Sequence, residues 1–123
     1  MTIEQAIAQA DDLQRNTYPE SIKITWLARL ETMIKTQVID QHEFFWLIPY
    51  EPITENTDPS HVLFMHEPFD EAYIHWLNAQ VHFNNNELDR YNASISMFST
   101  LFEGWKADYS RHHKPLGLKR FRF

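Results

Sequence analysis

Hydrophobic residues recur at helical spacing in two stretches of the first 41 residues. Thr2 and Gln5 have the spacing of a capping box, which predicts a first helix at 3–14. Pro19 disfavours the α region for Tyr18 and suits a first helical turn, so we expect a second helix at about 19–41. The predicted buried faces of the two helices are Ile3, Ala6, Ile7, Ala10 and Leu13, and then Ile22, Trp26, Leu30, Met33, Ile34 and Val38.

A third helix is predicted from Pro68 to the Asn run at 84–86. Pro68 fits the first helical position, and Glu67, Asp70 and Glu71 place negative charge near the positive end of the helix dipole. The Asn run ends or bends this helix. Its predicted buried side consists of Phe69, Tyr73, Trp76, Leu77 and Val81.

The fourth predicted helix carries the most regular repeat in the chain. Asn86 is its expected cap, and Pro115 with Gly117 closes it. The alternating 3,4 spacing describes a seam that packs against another helix, in the same subunit or in a neighbour. Gly104 within it marks a close approach or a bend. The seam consists of Leu88, Tyr91, Ile95, Phe98, Phe102, Trp105 and Tyr109.

The segment 42–67 lacks helical spacing and holds three of the six prolines. Its apolar ends, at 44–48 and 62–65, could pair as two short strands around a polar loop. We therefore expect a mainly α fold, with about four helices in a compact bundle. An irregular segment or short β-hairpin is inserted between helices two and three.

A chain of 123 residues fits a single domain. We expect a helical body, 1–113, that includes the insert 42–67. An extended basic and aromatic tail, 114–123, follows the body.

Composition removes several functional classes. There is no cysteine, and the two glycines cannot form a P-loop or a dinucleotide fingerprint. The first residues do not resemble a secretory signal, and there is no apolar run of 18 residues. We expect a cytosolic, soluble protein with no membrane partner.

No motif in the sequence indicates catalysis, a cofactor or a metal. The seven histidines include no helical i,i+4 pair, and there is no G-x-S-x-G motif. Carboxylate pairs such as Asp11–Asp12 and Asp70–Glu71 are explained by a polar helix face or a helix start. We expect no enzyme activity, no cofactor and no metal ligand.

Charge and aromatic content point to interfaces instead. Up to Ser110 the chain carries 17 acidic and six basic residues, a balance of -11, whereas the five later basic residues have no acidic counterpart. Eighteen aromatic residues, concentrated at 44–66 and in the tail, indicate either a crowded core or protein interfaces.

In an extended chain Phe121 and Phe123 share one face, and Arg120 and Arg122 share the other. Such a segment fits an acidic surface with an apolar groove, as on a neighbouring copy. A disordered solubilising tail and a tail folded back on its own subunit are the alternatives. The candidate partner-binding residues are Arg111, Lys114, Leu118, Lys119, Arg120, Phe121, Arg122 and Phe123.

Four stretches, NTYPESIKITWL, HEPFDEAYIHWLNAQ, LDRYNASISMF and KPLGLKRFRF, resemble the small head-tail connector, or adaptor, proteins of tailed phages and prophages of Gram-positive bacteria. The resemblance covers 2–123 and is weakest at 44–60. It implies a non-enzymatic virion subunit that assembles as a ring beneath the portal and joins the next neck protein. It also implies assembly in the host cytoplasm and residence in the virion neck.

The resemblance also implies that DNA passes through the ring without being specifically bound. An acidic bore would repel phosphate, in keeping with the charge of the body. The alternative is a DNA-binding regulator or packaging factor that uses its basic tail on phosphates.

Overall fold

The computed structural model describes residues 1–116. This part is mainly helical, as predicted, and its buried residues form one hydrophobic cluster to which all four helices contribute. The elements are α1 Ile3–Leu13, α2 Glu20–Gln37, two single-turn 3-10 helices at Ile39–Gln41 and Phe45–Leu47, α3 Glu71–Asn84 and α4 Leu88–His112. None of these helices combines the length and apolar character needed to cross a bilayer.

The start of α1 confirms the capping box. Gln5 N–H donates to the Thr2 hydroxyl at 3.2 Å, and Thr2 N–H donates to Gln5 Oε1 at 3.0 Å. The predicted apolar face is buried except for Leu13, which is 69% exposed. The prediction for Leu13 was wrong because the residue lies in the last turn, beyond the cover of neighbouring elements.

α2 is shorter than its predicted range. It ends at Gln37, and the chain continues into the 3-10 turn Ile39–Gln41. Trp26, Leu30 and Ile34 are buried as expected, but Ile22 is 38% exposed. Ile22 was predicted from spacing alone, whereas the buried face of α2 also contains polar residues that no hydrophobic pattern reveals.

The expected β-hairpin is absent from residues 1–116. Phe45–Leu47 form a 3-10 turn, and the β pairing in the described part of the chain consists of isolated bridges. The segment 62–65 pairs elsewhere: Val62 bridges to Thr2, and Leu63 N–H donates to Met1 O at 2.9 Å. The two apolar stretches therefore meet different partners, and the hairpin prediction was wrong.

α3 begins at Glu71, three residues after the predicted start at Pro68. The Glu67–Pro68 peptide bond is cis, within a turn in which Phe69 N–H donates to His66 O at 2.8 Å. Tyr73, a residue of the predicted face, is fully buried. Pro68 introduces this turn rather than the helix itself.

α4 lies antiparallel to α3, because contacts pair Phe83 with Tyr91 near one end and Trp76 with Phe98 further along. The predicted seam is buried only at Phe98, Phe102 and Trp105. Leu88 is 63% exposed, so the prediction for the start of the seam was wrong. No element among residues 1–116 buries Leu88.

The structure also resolves the predictions made for the cap of α4 and for Gly104. Glu87, not Asn86, occupies the cap position, and Asn86 adopts a left-handed conformation with φ 59°. A Cβ atom on Gly104 would lie 3.0 Å from Cε1 of Phe69. Of the two meanings expected for Gly104, the structure shows the close approach.

Candidate interaction surface at the end of helix α4

The chain after α4 turns back and pairs with the segment that precedes the second 3-10 turn. Glu43 N–H donates to Lys114 O, and Leu116 N–H donates to Gln41 O, both at 2.8 Å. These two bonds flank an antiparallel bridge between His42 and Pro115. The first residues of the tail, 114–116, are thereby fixed against residues 41–43, and we call this pairing the tail root.

His42 holds the tail root to α4. Its buried ring places Nδ1 2.6 Å from Val38 O and Nε2 3.0 Å from Ser110 Oγ, and it packs edge-on against Tyr109. Because a carbonyl oxygen only accepts, Nδ1 carries the hydrogen that bonds Val38 O, and Nε2 shares a hydrogen bond with the Ser110 hydroxyl. No spacing rule identified this residue, since its partners lie 4 and 68 positions away.

Immediately after the tail root, residues 44–47 form an exposed aromatic turn. Phe44 is left-handed, with φ 62°, and begins the 3-10 turn. Phe44, Trp46 and Leu47 are 58%, 65% and 67% exposed, and the ring centroids of Phe44 and Trp46 lie 5.7 Å apart. The adjacent Phe45 is half-buried against Trp46. The aromatic turn is an apolar protrusion of the kind concentrated at protein interfaces.

Two of the predicted partner-binding residues lie in the described part of the chain. Lys114 is exposed at the tail root. Arg111 is exposed and lies 3.4 Å from Asp108, which also lies 3.4 Å from His66 Nε2. Because the Arg111 guanidinium is largely exposed, a partner carboxylate can compete with Asp108 for it.

The other six predicted residues, Leu118, Lys119, Arg120, Phe121, Arg122 and Phe123, lie outside the described residues. Their role stays a prediction. What the structure adds is the place from which this segment starts, beside the aromatic turn.

A cavity of about 400 Å³ lies under the last turns of α4. Its apolar wall includes Phe64 and Trp105, and Asp108 lines it together with His66 and His112. The Tyr109 hydroxyl is buried and finds no hydrogen-bond partner among the described residues, and burial raises the pKa of Tyr109.

A second polar group is sealed in the core. Glu31 is 2% exposed, and its carboxylate accepts hydrogen bonds from the Tyr73 hydroxyl at 2.5 Å and from Phe64 N–H at 3.0 Å. Tyr73 in turn accepts from Met65 N–H at 2.9 Å. Burial raises the pKa of Glu31 from 4.5 to about 7, although these hydrogen bonds oppose the shift. The group fastens segment 64–65 to α2 and α3.

The histidines and carboxylates of residues 1–116 include no group of three or more with the geometry of a metal site. Neither the family models nor the curated proteins or solved structures with which the chain was compared gave a match.

Proposed function

We propose that this chain is a non-enzymatic structural protein of a tailed-phage virion, a head-tail connector subunit. It assembles as a ring beneath the portal protein and docks the next neck protein. The proposal rests on the resemblance of the four sequence stretches given above. The observation that carries it is the exposed aromatic turn placed directly beside the tail root.

The aromatic turn has the chemistry of an anchor. Burying a large apolar side chain is worth roughly 1.5–3 kcal/mol, and Phe44, Trp46 and Leu47 leave most of that unrealised in the isolated subunit. Aromatic residues are also those that most often dominate binding energy at interfaces. A partner with an apolar pocket would cover this turn.

The tail root brings a second kind of contact to the same corner. Lys119, Arg120 and Arg122 follow it closely in sequence, and Lys114 is exposed within it. Apolar anchors beside a run of positive charge suit a partner surface that is apolar and acidic. The portal, the next neck protein and a second copy of this chain are the proposed partners.

The charge of the body disfavours the alternative role in DNA binding. All 17 acidic residues lie in 1–116, whereas three of the 11 basic residues lie beyond it. The proposal therefore has DNA passing through the ring without specific contact, during assembly in the host cytoplasm and later in the virion neck.

A pull-down with the portal protein of the same phage or prophage tests the proposal. The double variant Phe44→Ser/Trp46→Ser should bind the portal at least about tenfold more weakly. The matched control is Phe83→Ser, because Phe83 is 55% exposed at the opposite end of α4. The control should bind like the unchanged protein.

Equal binding by all three proteins would contradict the role of the aromatic turn, and no binding by the unchanged protein would contradict the connector function. A titration with duplex DNA covers the alternative. Tight binding that weakens steeply with salt would favour the DNA-binding role.

A further inference from the structure

A shallow groove crosses α1, α3 and α4 through His75. One depression, of about 350 Å³, lies between α1 and α3, and a second, of about 300 Å³, lies between α3 and α4. Because His75 lines both, the depressions adjoin, and we call them together the His75 groove. Its principal lining residues are Asp12, Leu13, Glu71, Ile74, Met97 and Leu101.

The floor of the His75 groove is apolar and uncovered. Leu13 is 69% exposed and Met97 is 54% exposed, while Ile74 is buried. Leu13 lies in the depression between α1 and α3, and Met97 lies in the one between α3 and α4. Each depression therefore offers an apolar contact to an incoming side chain.

The charge of the groove is negative. Asp12 and Glu71 line the depression between α1 and α3, and within residues 1–116 no lysine or arginine lines either depression. Burial lowers the pKa of His75, although nearby Glu71 opposes this, and the lowered pKa favours the neutral ring. A cationic occupant would meet two carboxylates and no positive charge.

We propose that the His75 groove of one copy binds the basic aromatic segment 119–123 of a second copy. The inference rests on the proposed function, since it supplies the contact between neighbouring subunits. Residues two apart in an extended chain lie roughly 7 Å from each other on one face, so Phe121 and Phe123 can occupy adjoining depressions. Arg120 and Arg122 then lie on the opposite face of the segment, and their long side chains can reach around it to Asp12 and Glu71.

The reach of the chain favours a second copy over the same subunit. The tail root lies at the last turns of α4, because His42 bonds Ser110. Met97 lies 15 residues before His112, which is roughly 22 Å along the helix axis. From Leu116 to Phe121 the chain spans at most about 18 Å. A fully extended segment of the same subunit would therefore bring Phe121 no farther than the Leu101 end of the second depression, short of Met97, whereas a segment from a second copy has no such limit.

Peptide binding tests the groove directly. The probe is the labelled peptide Gly-Leu-Lys-Arg-Phe-Arg-Phe, the sequence of 117–123, and the receptor is the full chain with Arg120→Glu/Arg122→Glu, so that its own segment does not compete. Adding Asp12→Lys/Glu71→Lys to this receptor should weaken binding about tenfold, measured by fluorescence anisotropy. The neutral pair Asp12→Asn/Glu71→Gln should weaken it less.

The matched control carries Glu20→Lys/Asp89→Lys, which makes the same charge change at exposed acidic residues in the first turns of α2 and α4. It should bind the peptide like the unchanged receptor. Equal loss in the control and groove variants would overturn the inference, as would an absence of peptide binding. Thermal melts of each receptor establish that the variants are folded.

Mixing two full chains tests the source of the segment. One chain carries Asp12→Lys/Glu71→Lys with its 119–123 segment unchanged, and the other carries Arg120→Glu/Arg122→Glu with its groove unchanged. Sedimentation should show a one-to-one complex in the mixture and none in either chain alone. Peptide binding without such a complex would mean that the groove takes its own subunit's segment, which overturns the proposal of a second copy.

These outcomes are separable from failure of the connector function. Portal binding by the unchanged chain tests that function through the aromatic turn, whose residues do not line the His75 groove. Portal binding without peptide binding would support the proposed function and refute this inference.

Discussion

Replacing Glu31 by glutamine should remove an unusual dependence of folding stability on pH. Glu31 is buried among apolar residues, where desolvation favours its protonated form, and this raises the pKa to about 7 from 4.5. The Glu31→Gln side chain has nearly the same shape and stays neutral at every pH. The comparison therefore isolates the proton on Glu31.

The sign of this pH dependence follows from the number of protons that the folded and unfolded states bind. Between pH 4.5 and about 7 the folded state keeps a proton on Glu31 that the unfolded state has lost. The stabilising contribution is therefore complete below pH 4.5 and is lost as pH rises to about 7. At about 1.4 kcal/mol for each pH unit, the loss amounts to about 3 kcal/mol.

Urea unfolding at several pH values measures this contribution. We expect the free energy of unfolding of the unchanged protein, relative to Glu31→Gln, to fall by about 3 kcal/mol over that interval. Burial lowers the pKa of His75, so His75 contributes with the opposite sign, but this contribution is common to both proteins and cancels. Glu55→Gln, at an exposed residue, is the control and should show no such fall.

A relative stability that stays constant from pH 5 to 8, or rises with pH, would refute the reasoning. A changed urea m-value in the variant would instead indicate that the substitution altered the compactness of one state. Agreement of m-values between the two proteins is therefore required for the comparison.

The remaining predictions concern local packing. Gly104→Ala should stabilise α4 by about 1 kcal/mol in a Phe69→Ala background but by less in the unchanged protein, because the Phe69 ring occupies the space needed by the new Cβ. Thermal melts of the unchanged protein, the two single variants and the double variant measure this coupling. Equal gains in the two backgrounds would contradict it. Asp11→Ala should lower the free energy of unfolding in urea by about 2 kcal/mol, because it leaves the buried Lys23 ammonium without its partner at 2.7 Å. Adding Lys23→Met should recover part of that loss, and an absence of recovery would contradict the role of the ion pair. His42→Ala should speed hydrogen exchange of the amides at the tail root while leaving the middle of α3 protected. Unchanged exchange at the tail root would show that its two backbone bonds hold without the His42 ring.

Local interactions made part of the fold predictable. The capping box of Thr2 and Gln5 involves residues three apart, so the sequence alone locates the start of α1. The alternating 3,4 spacing likewise predicts that the seam residues Phe98, Phe102 and Trp105 are buried. Where a signal fits two local structures, as Pro68 fits both a helix start and a turn, the sequence does not choose between them.

Tertiary contacts decided the rest. Leu63 and Met65 alternate as in a strand, but their neighbours are the first residues of the chain and Tyr73, which pattern rules do not bring together. Glu31 lies on the buried face of α2, where hydrophobic spacing gives no reason to place a carboxylate.

The candidate surfaces were predicted unequally. Composition identified the aromatic segment that contains Phe44 and Trp46 and the basic tail as interface candidates. The His75 groove was not predicted, because its lining comes from three helices whose arrangement depends on the whole core.

The tail root also determines how a pulling force enters the subunit. Tension on the residues after Leu116 is carried first by the two backbone bonds to Gln41 and Glu43, rather than by the last turn of α4. Because these bonds lie across the direction of the paired segments, a load along that direction shears them together instead of opening them one at a time. A partner that pulls on the tail therefore loads the backbone pairing of the tail root before it unwinds α4.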